Sequence, residues 1–501
     1  MSLASQLPAL QVAVPMLTAP LVALLRDSHL SWAAAFAASA MSFVLAIAIT
    51  GQVIGGETLV YHMGGWAPPF GISLYIDELS ALLLLIITGA ATLTLLAGRG
   101  SLEEQVGEAR MPLFLAAWLL TLAGLAGIVV SGDAFNIFVF MEISSLATYI
   151  LVSGGPQRRA LTAVFKYLIT GTVGATFYLI GVGMVYMMTG TLNIADMEVR
   201  LAEVSDRNVV YVAAGFITIG LALKAAIFPL HAWMPNAYTF APHIVTAFIA
   251  ACSTKVSLYV LLRLDFFVFQ KNLVDHELQF AYLLMPLAVI GILYGSIAAI
   301  FEQNLKRILA FSSVAQIGYI LLGASLISVA GFTAAVLHFF NHALAKTALF
   351  LAVACLGLQF AKMRLEDLRG VGRSMPWTLA AFAGAGLSLI GVPGTAGFVS
   401  KWALIGAAME KGAPGAALVA LILFSSLLAV VYVWRIVEVT WFGHGGEQAK
   451  AAGGGPITEA PLWILTMTWV AVLANFWFGF DSSLPMQLAS SSAEEFLRHQ
   501  P

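Results

Sequence analysis

The sequence predicts an all-α polytopic membrane protein of about 14 transmembrane helices, arranged as two inverted five-helix repeats that each contain a broken helix. Of its 501 residues, 60% are hydrophobic and only 10% are charged, and the mean hydropathy is +0.91. Soluble domains carry about 25% charged residues, so this composition indicates an integral membrane protein. Apolar runs of roughly 20 residues recur along nearly the whole chain, which favours spanning helices over a β-barrel.

The first part of the chain contains eight predicted spans, placed by the length and periodicity of the apolar runs. They are about 8–25, 31–54, 79–98, 112–131, 134–153, 163–189, 208–239 and 243–264. Polar, Gly- and Pro-rich residues separate the second span from the third and include the stretch 64–71. This composition predicts an extended external connection.

Six further spans follow, at about 279–301, 308–327, 331–358, 376–410, 415–441 and 459–480. The chain ends and the segment 443–458 are polar, and we expect them to be mobile. This pattern divides the chain into four parts. They are an N-terminal three-helix segment (1–110), a first repeat (111–265), a second, inverted repeat (279–441) and a linker with the last helix (442–501).

Basic residues in the connections predict how the chain lies in the membrane. An even number of spans places both termini on one side. The terminal side holds six basic residues, Arg200, Arg207, Arg263, Lys271, Lys411 and Arg498. The opposite side holds twelve, Arg26, Arg99, Arg110, Arg158, Arg159, Lys306, Arg307, Lys362, Arg364, Arg369, Arg373 and Lys450. Because lysine and arginine are enriched in cytoplasmic loops, we expect both termini to face outward.

Two predicted spans are interrupted, the seventh at Pro229 and the twelfth at 391–397, which contains Pro393. Proline lacks an N–H and its ring clashes with the preceding turn, so nearby carbonyls lose their helical partners. The breaks lie five spans apart, and because five is odd, spans 9–13 would repeat spans 4–8 in inverted orientation. Paired broken helices in two halves of a membrane protein indicate an ion or substrate pathway.

A lysine and a glutamate in the first repeat are candidates for that pathway. Lys224 precedes the first break, and an ammonium at membrane depth costs at least a few kcal/mol. Glu142 lies near the middle of the fifth span, where a lone carboxylate is neutralised or paired. We expect the two side chains to lie within ion-pair reach or one water beyond it. The alternatives are a snorkelling lysine and a protonated glutamate bonded to a helix carbonyl.

Further ionisable residues recur in the later spans. Lys255 lies midway along the eighth span, and Lys401 follows the second break by about two turns. His338, His342 and Lys346 are spaced by four residues, which places them on one face of the eleventh span. Histidine titrates near neutral pH and suits proton transfer. The alternatives for the two histidines are a structural hydrogen-bonded pair and a zinc site, although no carboxylate or cysteine ligand is nearby in sequence.

Several classes of function receive no support from the sequence. The chain has no GxGxxG, P-loop or nucleophile-elbow motif, so we expect neither a cofactor nor an enzyme active site. Its net charge of −2 gives no indication of nucleic-acid binding. Cys252 and Cys355 both lie in apolar runs, where they predict neither a disulfide framework nor a metal site.

The motifs around these residues resemble the antiporter-like family shared by Mrp-type multisubunit sodium/proton antiporters, respiratory complex I and membrane-bound hydrogenases. The motifs are SGDAFNIFVFME (131–142), FKYLITG (165–171), KAAIFPLHAWMPN (224–236), RILAFSSVAQIG (307–318), HFFNHALAK (338–346) and GVPGTAGFVSK (391–401). They cover spans 4–12. The N-terminal stretch 61–71, with DELS at 77–80, is similar to the D-type branch of the Mrp antiporter subunits.

This resemblance implies a proton-translocating subunit that works with other subunits of a hetero-oligomeric cation/proton antiporter in the bacterial cytoplasmic membrane. The implied ions are protons and Na⁺. The family's ionisable pathway residues fall on Glu142, Lys224, Lys255, the His338–His342 region and Lys401. The alternatives are a proton-pumping subunit of a complex I-like or hydrogenase assembly, a solute carrier with Asn236, Asn341 and Thr395 around one cavity, and a structural scaffold.

Overall fold

Fourteen membrane-spanning elements can be traced in the computed structural model, which describes residues 4–205, 207–269, 280–443 and 456–497. In these ranges, 13 helices are long and apolar enough to cross a membrane. Two shorter apolar helices, Pro376–Ile390 and Ala396–Met409, together make one further broken span. The prediction of fourteen spans is therefore confirmed.

Eleven helices and two strands form the first part of the fold. The helices are α1 (Leu7–Leu24), α2 (Ser28–Val53), α3 (Glu78–Ala97), α4 (Arg99–Val106), α5 (Met111–Val130), α6 (Ala134–Ser153), α7 (Arg159–Thr189), α8 (Ile194–Leu201), α9 (Arg207–Ala225), α10 (Met234–Phe240) and α11 (His243–Arg263). The strands are β1 (Leu59–His62) and β2 (Ser73–Ile76). The two short helices α4 and α8 lie in connections between spans.

Eight helices form the second part. They are α12 (Met285–Phe301), α13 (Leu305–Ser325), α14 (Val329–Gly357), α15 (Pro376–Ile390), α16 (Ala396–Met409), α17 (Ala413–Val437), α18 (Leu462–Phe480) and α19 (Ser483–Leu497). Single turns of 3₁₀ geometry lie at Ala4–Gln6, Met63–Gly65, Glu108–Arg110, Leu365–Leu368 and Val371–Arg373. Turns of π geometry lie at Leu264–Phe269, Phe280–Leu284 and Glu438–Phe442.

Short polar side chains mark where many of the helices begin. Each accepts a hydrogen bond from a backbone N–H of the first turn, which has no partner within the helix. These N-cap residues are Asp27, Asp77, Asp133, Asn193, Asn304 and Ser328. The sequence therefore fixes these helix starts locally, before any packing between helices is considered.

The predicted extended connection between the second and third spans contains the antiparallel β1–β2 hairpin. The hairpin is held against the spans, because the Gly132 N–H donates to the Ser73 carbonyl at 2.9 Å. The aromatic tip is exposed, with Phe70 at 93% and Trp66 at 70%. The strand pairing was not predicted, since only the pairing of 59–62 with 73–76 distinguishes a hairpin from an extended loop.

The two predicted repeats pack in the same order. In the first, α5 contacts α6, α6 contacts α7, and α7 contacts both α9 and α10. In the second, α12 contacts α13, α13 contacts α14, and α14 contacts both α15 and α16. Side by side, α11 contacts α14 and α10 contacts α13, which joins the two halves. This matching order supports the proposed repeats, while their inverted relation stays a prediction.

Glycines bring α7 and α9 into close contact. A Cβ at Gly220 would lie 2.5 Å from the Gly174 carbonyl oxygen, and one at Gly181 would lie 2.7 Å from the Ala213 carbonyl oxygen. Real Cβ atoms do not approach backbone this closely, so these positions need glycine. The helices can then pack backbone to backbone, as small residues allow in membranes.

Three expectations about polar residues are wrong. Lys306 and Arg263, which the sequence placed in connections, are 2% and 3% exposed within α13 and α11. The C-terminal end forms α19, which packs against α3 and α14 rather than being free of the fold. Apolar residues of α19, including Leu488 and Phe496, are buried and account for this packing. The segment 443–458 lies largely outside the described residues.

The buried pair between Arg263 and Asp77 ties α11 to the start of α3. The Arg263 Nη2 atom lies 2.6 Å from Asp77 Oδ2, with side chains 4% and 2% exposed. Replacement by Arg263→Leu should lower the free energy of unfolding by about 3–5 kcal/mol, because Asp77 would stay buried without its counter-charge. Thermal unfolding in detergent measures this loss.

The matched control is Arg200→Leu, which removes a pair to Asp196 whose side chains are 39% and 27% exposed. Exposed pairs contribute about 0–1 kcal/mol, so this variant should unfold close to the native temperature. Equal losses of stability in the two variants would show that the buried pair stabilises the fold no more than the exposed pair does.

Glu495 of α19 should make stability depend on pH. Burial raises the pKa of Glu495 above its ordinary value of 4.5, and the nearby Asp77 adds to the rise. The folded state therefore holds this proton more tightly, and the stability that it contributes at low pH is lost as pH rises through the raised pKa. The melting temperature of Glu495→Gln should fall less between about pH 5 and pH 8 than that of the native protein. The adjacent, exposed Glu494→Gln should behave as native.

Candidate functional site

The first helix break lies between α9, which ends at Ala225, and α10, which begins at Met234. Ala226 has a positive φ of 57° there, and Pro229 follows it. The carbonyls freed at the break find partners inside the protein. The Trp233 indole N–H donates to the Leu223 carbonyl at 2.9 Å, and the Ile227 N–H donates to the Ala222 carbonyl at 3.0 Å. A break at membrane depth is tolerated because its backbone groups are satisfied in this way.

Lys224 lies in the last turn before this break and contacts α6. Its Nζ donates to Ser145 Oγ at 2.7 Å and lies 3.5 Å from Glu142 Oε1. The predicted ion pair is therefore confirmed. Glu142 and Ser145 are three residues apart on α6, so both face the lysine. The Lys224 side chain is 6% exposed and that of Glu142 is 28%, which makes Glu142 the more accessible partner.

Lys255 lies at the middle of α11, 1% exposed. Its ammonium donates to the carbonyl of Ala250 on the same helix. Because α11 packs against α14, Lys255 also interacts electrostatically with His342 and Lys346. The hydroxyls of Ser253 and Thr254, which precede it directly in the chain, do not bond to it. Lys255 thus connects the first repeat with the ionisable residues of the second.

The two histidines of α14 lie one above the other, with ring centroids 6.1 Å apart and planes 12° from parallel. His338 Nε2 lies 2.9 Å from Gln316 Oε1, and Nδ1 lies 2.8 Å from Ser400 Oγ. An amide oxygen only accepts, so Nε2 donates and Nδ1 accepts from the serine. Both ring nitrogens of His342 are buried without a protein partner. These nitrogens are therefore open to hydrogen bonds that other protein groups do not supply.

Lys346 completes the stripe on α14 and is fully buried. Its Nζ donates to the Leu309 carbonyl at 2.7 Å and to Ser312 Oγ at 2.6 Å, both on α13. Neither partner carries a charge. The bonds direct the ammonium towards α13, the helix that also carries the Gln316 partner of His338. Both ends of the stripe, His338 and Lys346, therefore bond to the same neighbouring helix.

The second break lies between α15 and α16, where Gly391 and Gly394 have φ values of 91° and 86°. Pro393 lies between them, as the sequence predicted. Lys401 reaches back from α16 to the end of α15. Its Nζ donates to the Ile390 carbonyl at 2.8 Å and to the Leu389 carbonyl at 3.2 Å. A cation at a helix C-terminus is favoured by the helix dipole and satisfies the freed carbonyls.

Two more groups surround the Lys401 ammonium. It donates to Ser426 Oγ of α17 at 3.1 Å and lies 4.9 Å from the ring centroid of Tyr319. Ser400, the neighbour of Lys401, bonds His338. One turn of α16 therefore links the histidine stripe to the lysine at the second break.

These ionisable groups lie on helices that pack against one another through both repeats, and they can be described as one line. It begins at Glu142 and Lys224, passes Lys255 and the His342–Lys346 part of α14, and ends at His338 and Lys401. Within the described residues, only Lys224 of these lysines has a carboxylate within 4.0 Å. The others have carbonyl and hydroxyl partners. These neutral groups accept a hydrogen bond from a charged or a neutral lysine, whereas a carboxylate favours the charged form. The described residues contain no group of three or more His, Cys, Asp or Glu placed to hold a metal ion.

Sequence reasoning missed the neutral partners of these groups. Ser145 and Ser400 could have been found, since one lies three residues from Glu142 and the other directly before Lys401. No local signal marks Gln316, Ser312 or Ser426, because their roles depend on which helices pack together. Of the residues that a solute carrier would bring together, Asn341 donates to the Ala396 carbonyl at 2.6 Å. Asn236 instead accepts from Arg307 at 2.9 Å.

The chain is similar to curated proteins of two kinds. It is 42% identical over 462 residues to NADH-quinone oxidoreductase subunit N of Desulforudis audaxviator, which covers 90% of each chain. It is 29% identical over 491 residues to the D-type Na(+)/H(+) antiporter subunit of Bacillus subtilis, which covers 97% of this chain and 96% of that one. Nearly the full length of the chain is thus shared with both kinds.

Among solved structures, a chain of the Mrp complex from Dietzia sp. DQ12-45-1b superposes with a TM-score of 0.89 at 28% identity. The superposition covers 99% of this chain and 98% of that one. Residues 131–429 also match the family model described as NADH:quinone oxidoreductase/Mrp antiporter, TM. That range contains both helix breaks and every ionisable residue of the line from Glu142 to Lys401. The chain therefore belongs to the NADH:quinone oxidoreductase/Mrp antiporter transmembrane family.

Proposed function

We propose that this protein is the proton-translocating subunit of a multisubunit Na⁺/H⁺ antiporter, relaying protons through buried Glu, Lys and His residues along the membrane midplane. The observation that carries the proposal is the Glu142–Lys224 pair at the first helix break. A buried lysine beside a broken helix is costly unless it has a use. Other subunits of the complex would supply the rest of the pathway and the Na⁺ route.

The Glu142–Lys224 pair is suited to act as a switch. In a low-dielectric site, the carboxylate strongly stabilises the ammonium 3.5 Å away. When Glu142 takes up a proton, that attraction is lost, and Lys224 keeps only the hydroxyl of Ser145 as a side-chain partner. Lys224 then releases its proton more readily. The 28% exposure of Glu142 suits it to receive the proton first.

The next steps pass through the middle of the fold. A proton released by Lys224 would reach Lys255, whose charge interacts with His342 and Lys346. His342 has two free ring nitrogens and stacks on His338, so it can receive a proton at one nitrogen and release another from the other. His338 passes the proton towards Ser400 and Lys401. Lys401, held by the carbonyls at the second break, is the last group of the line.

We also propose which side of the membrane the two termini face. With the buried Lys306 and Arg263 removed from the count, the connections hold eleven basic residues against five. Lys271, Lys450 and Arg498 of that count lie outside the described residues. The bias still favours termini on the outer side of the bacterial cytoplasmic membrane.

A redox-driven complex is the second candidate. The 42% identity with a protein named NADH-quinone oxidoreductase subunit N favours it. In that case the same line of residues would move protons, but electron transfer in a partner subunit would supply the energy. The buried groups from Glu142 to Lys401 serve both candidates, so only the coupled reaction separates them.

Removal of the switch should stop transport. In everted vesicles with all subunits of the complex expressed together, Lys224→Ala and Glu142→Gln should each lower cation-dependent proton flux by about tenfold or more, because each breaks the first transfer step. Lys411→Ala, which removes an exposed lysine of the α16–α17 connection, is the matched control and should keep native flux. Native flux in both site variants, with normal assembly, would remove this subunit from the proton pathway.

The driving reaction separates the two candidates. If the complex is an antiporter, an imposed Na⁺ gradient should drive proton movement in vesicles without any electron donor, and Lys224→Ala should abolish it. If the complex is redox-driven, proton movement should require an electron donor and acceptor and should not respond to Na⁺. The same vesicles and variant serve both measurements. Proton movement under neither condition would contradict both candidates.

A further inference from the structure

One face of α11 carries three polar residues, of which the proposed pathway uses only the first. Lys255, Tyr259 and Arg263 are spaced by four residues, so they lie above one another along the helix, with a rise of about 6 Å between neighbours. All three are buried, at 1%, 1% and 3% exposure. This stripe runs from the centre of the fold to the end of α11 on the face of the two termini.

A hydrogen-bonded network occupies the upper part of this stripe. The Tyr259 hydroxyl lies 3.0 Å from Ser80 Oγ and donates to the Val129 carbonyl at 2.8 Å. Ser80 Oγ donates to Asp77 Oδ1 at 2.8 Å and accepts from Arg263 Nη2 at 3.1 Å. Hydroxyl groups both donate and accept, so Tyr259 and Ser80 connect the middle of α11 to the Asp77 carboxylate.

A cavity of about 210 Å³ lies beyond this network, next to the β1–β2 hairpin. Arg263 forms part of its wall, together with Ser73, Tyr75 and Asn193. The Arg263 Nε is buried and has no hydrogen-bond partner. Asp77 and Arg263, bonded at 2.6 Å, separate the cavity from Ser80 and Tyr259.

A second carboxylate lies on the cavity side of Arg263. Tyr75, whose ring is 5.6 Å from the Arg263 guanidinium carbon, donates from its hydroxyl to Glu495 Oε1 at 3.2 Å. Arg263 also interacts electrostatically with Glu495. The guanidinium therefore interacts with two carboxylates, one at the start of α3 and another on α19. This arrangement allows the cation to exchange partners without being left unpaired.

We propose that Lys255, Tyr259, Ser80 and Asp77 form a second branch of the proton route, leading to the outer cavity, with the Asp77–Arg263 pair as its gate. The inference rests on the proposed proton-translocating function. It assigns roles to Tyr259, Ser80 and Asp77 that the line from Glu142 to Lys401 does not require. In the present arrangement the branch is closed, because Lys255 bonds Ala250, on the side away from Tyr259.

Each proton transfer along the branch has a named donor and a named acceptor. Lys255 turns towards Tyr259, and the Tyr259 hydroxyl turns from the Val129 carbonyl to Ser80 Oγ. Lys255 then gives a proton to the Tyr259 oxygen while the original Tyr259 hydroxyl proton moves to Ser80 Oγ. Ser80 gives its own proton to the Asp77 carboxylate, which becomes a neutral acid. Asp77 then no longer attracts Arg263, whose guanidinium turns to Glu495 and opens the way to the cavity. Loss of the proton from Asp77 into the cavity restores the pair.

The first test removes a single hydroxyl from the branch. Tyr259→Phe keeps the ring that packs 4.9 Å from the Arg263 guanidinium carbon but removes the proton-carrying oxygen. Proton flux in the assembled complex should fall by about half, because this variant blocks the branch and leaves the line to Lys401 intact. Tyr178→Phe is the matched control, because it also removes a buried hydroxyl that donates to a backbone carbonyl, that of Ala134 at 3.0 Å. It should retain native flux.

Lys224→Ala in the same vesicles distinguishes failure of the branch from failure of the proposed function. Loss of flux in Lys224→Ala with native flux in Tyr259→Phe would overturn the branch and leave the proposed function intact. Native flux in Lys224→Ala would overturn the proposed function, and the branch with it. Loss in both variants, with the control unaffected, is the expected result.

The second test measures gate opening without transport. In a protein with Cys252→Ala and Cys355→Ala, Ser80→Cys places one thiol behind the Asp77–Arg263 pair, on the side away from the cavity. Asp77→Asn imitates the neutral acid, and asparagine still caps α3. A membrane-impermeant thiol reagent should label Ser80→Cys several-fold faster when Asp77→Asn is present, because the released Arg263 lets the reagent pass from the cavity. Equal labelling rates would show that the pair is a fixed structural tie and not a gate.

Discussion

Broken backbone and charged side chains at membrane depth need partners inside the protein, and this constraint shapes both helix breaks. Lipid cannot satisfy a broken helix or an ammonium in the hydrocarbon region. The two helix breaks meet this demand in different ways. At the first, an indole N–H from Trp233 bonds the freed Leu223 carbonyl. At the second, the ammonium of Lys401 itself bonds the carbonyls of Leu389 and Ile390.

The same constraint connects the two repeats. Lys306, at the start of α13 in the second repeat, donates to the Ala241 carbonyl at the end of α10 in the first, at 2.8 Å. One residue later, Arg307 donates to Asn236 of α10 and pairs with Glu302 at 2.9 Å. The short helix after the first break is therefore held by cations of the other half. The helix that holds it, α13, also carries the partners of Lys346 and His338.

The buried cations differ in whether a carboxylate lies beside them. Arg263 has a carboxylate at 2.6 Å, and Lys224 has one at 3.5 Å. Lys255, Lys346 and Lys401 have carbonyl and hydroxyl partners instead. A close carboxylate fixes a cation in its charged form, whereas neutral acceptors leave it freer to exchange a proton. The cations with neutral partners therefore lie between two paired charges, Lys224 at the first helix break and Arg263 at the end of α11.

The spans, the two breaks and the ionisable residues could all be predicted from the sequence, because apolar periodicity, proline and charges in apolar runs are local signals. The sequence also led to the Glu142–Lys224 pair, since a buried carboxylate and a buried ammonium need each other. It could not show that Lys306 and Arg263 are buried, that α19 packs on the fold, or that Tyr259 meets Ser80. These facts depend on which helices become neighbours. The tertiary structure decides that, because contacts such as that between residues 77 and 263 leave no periodic trace in the chain.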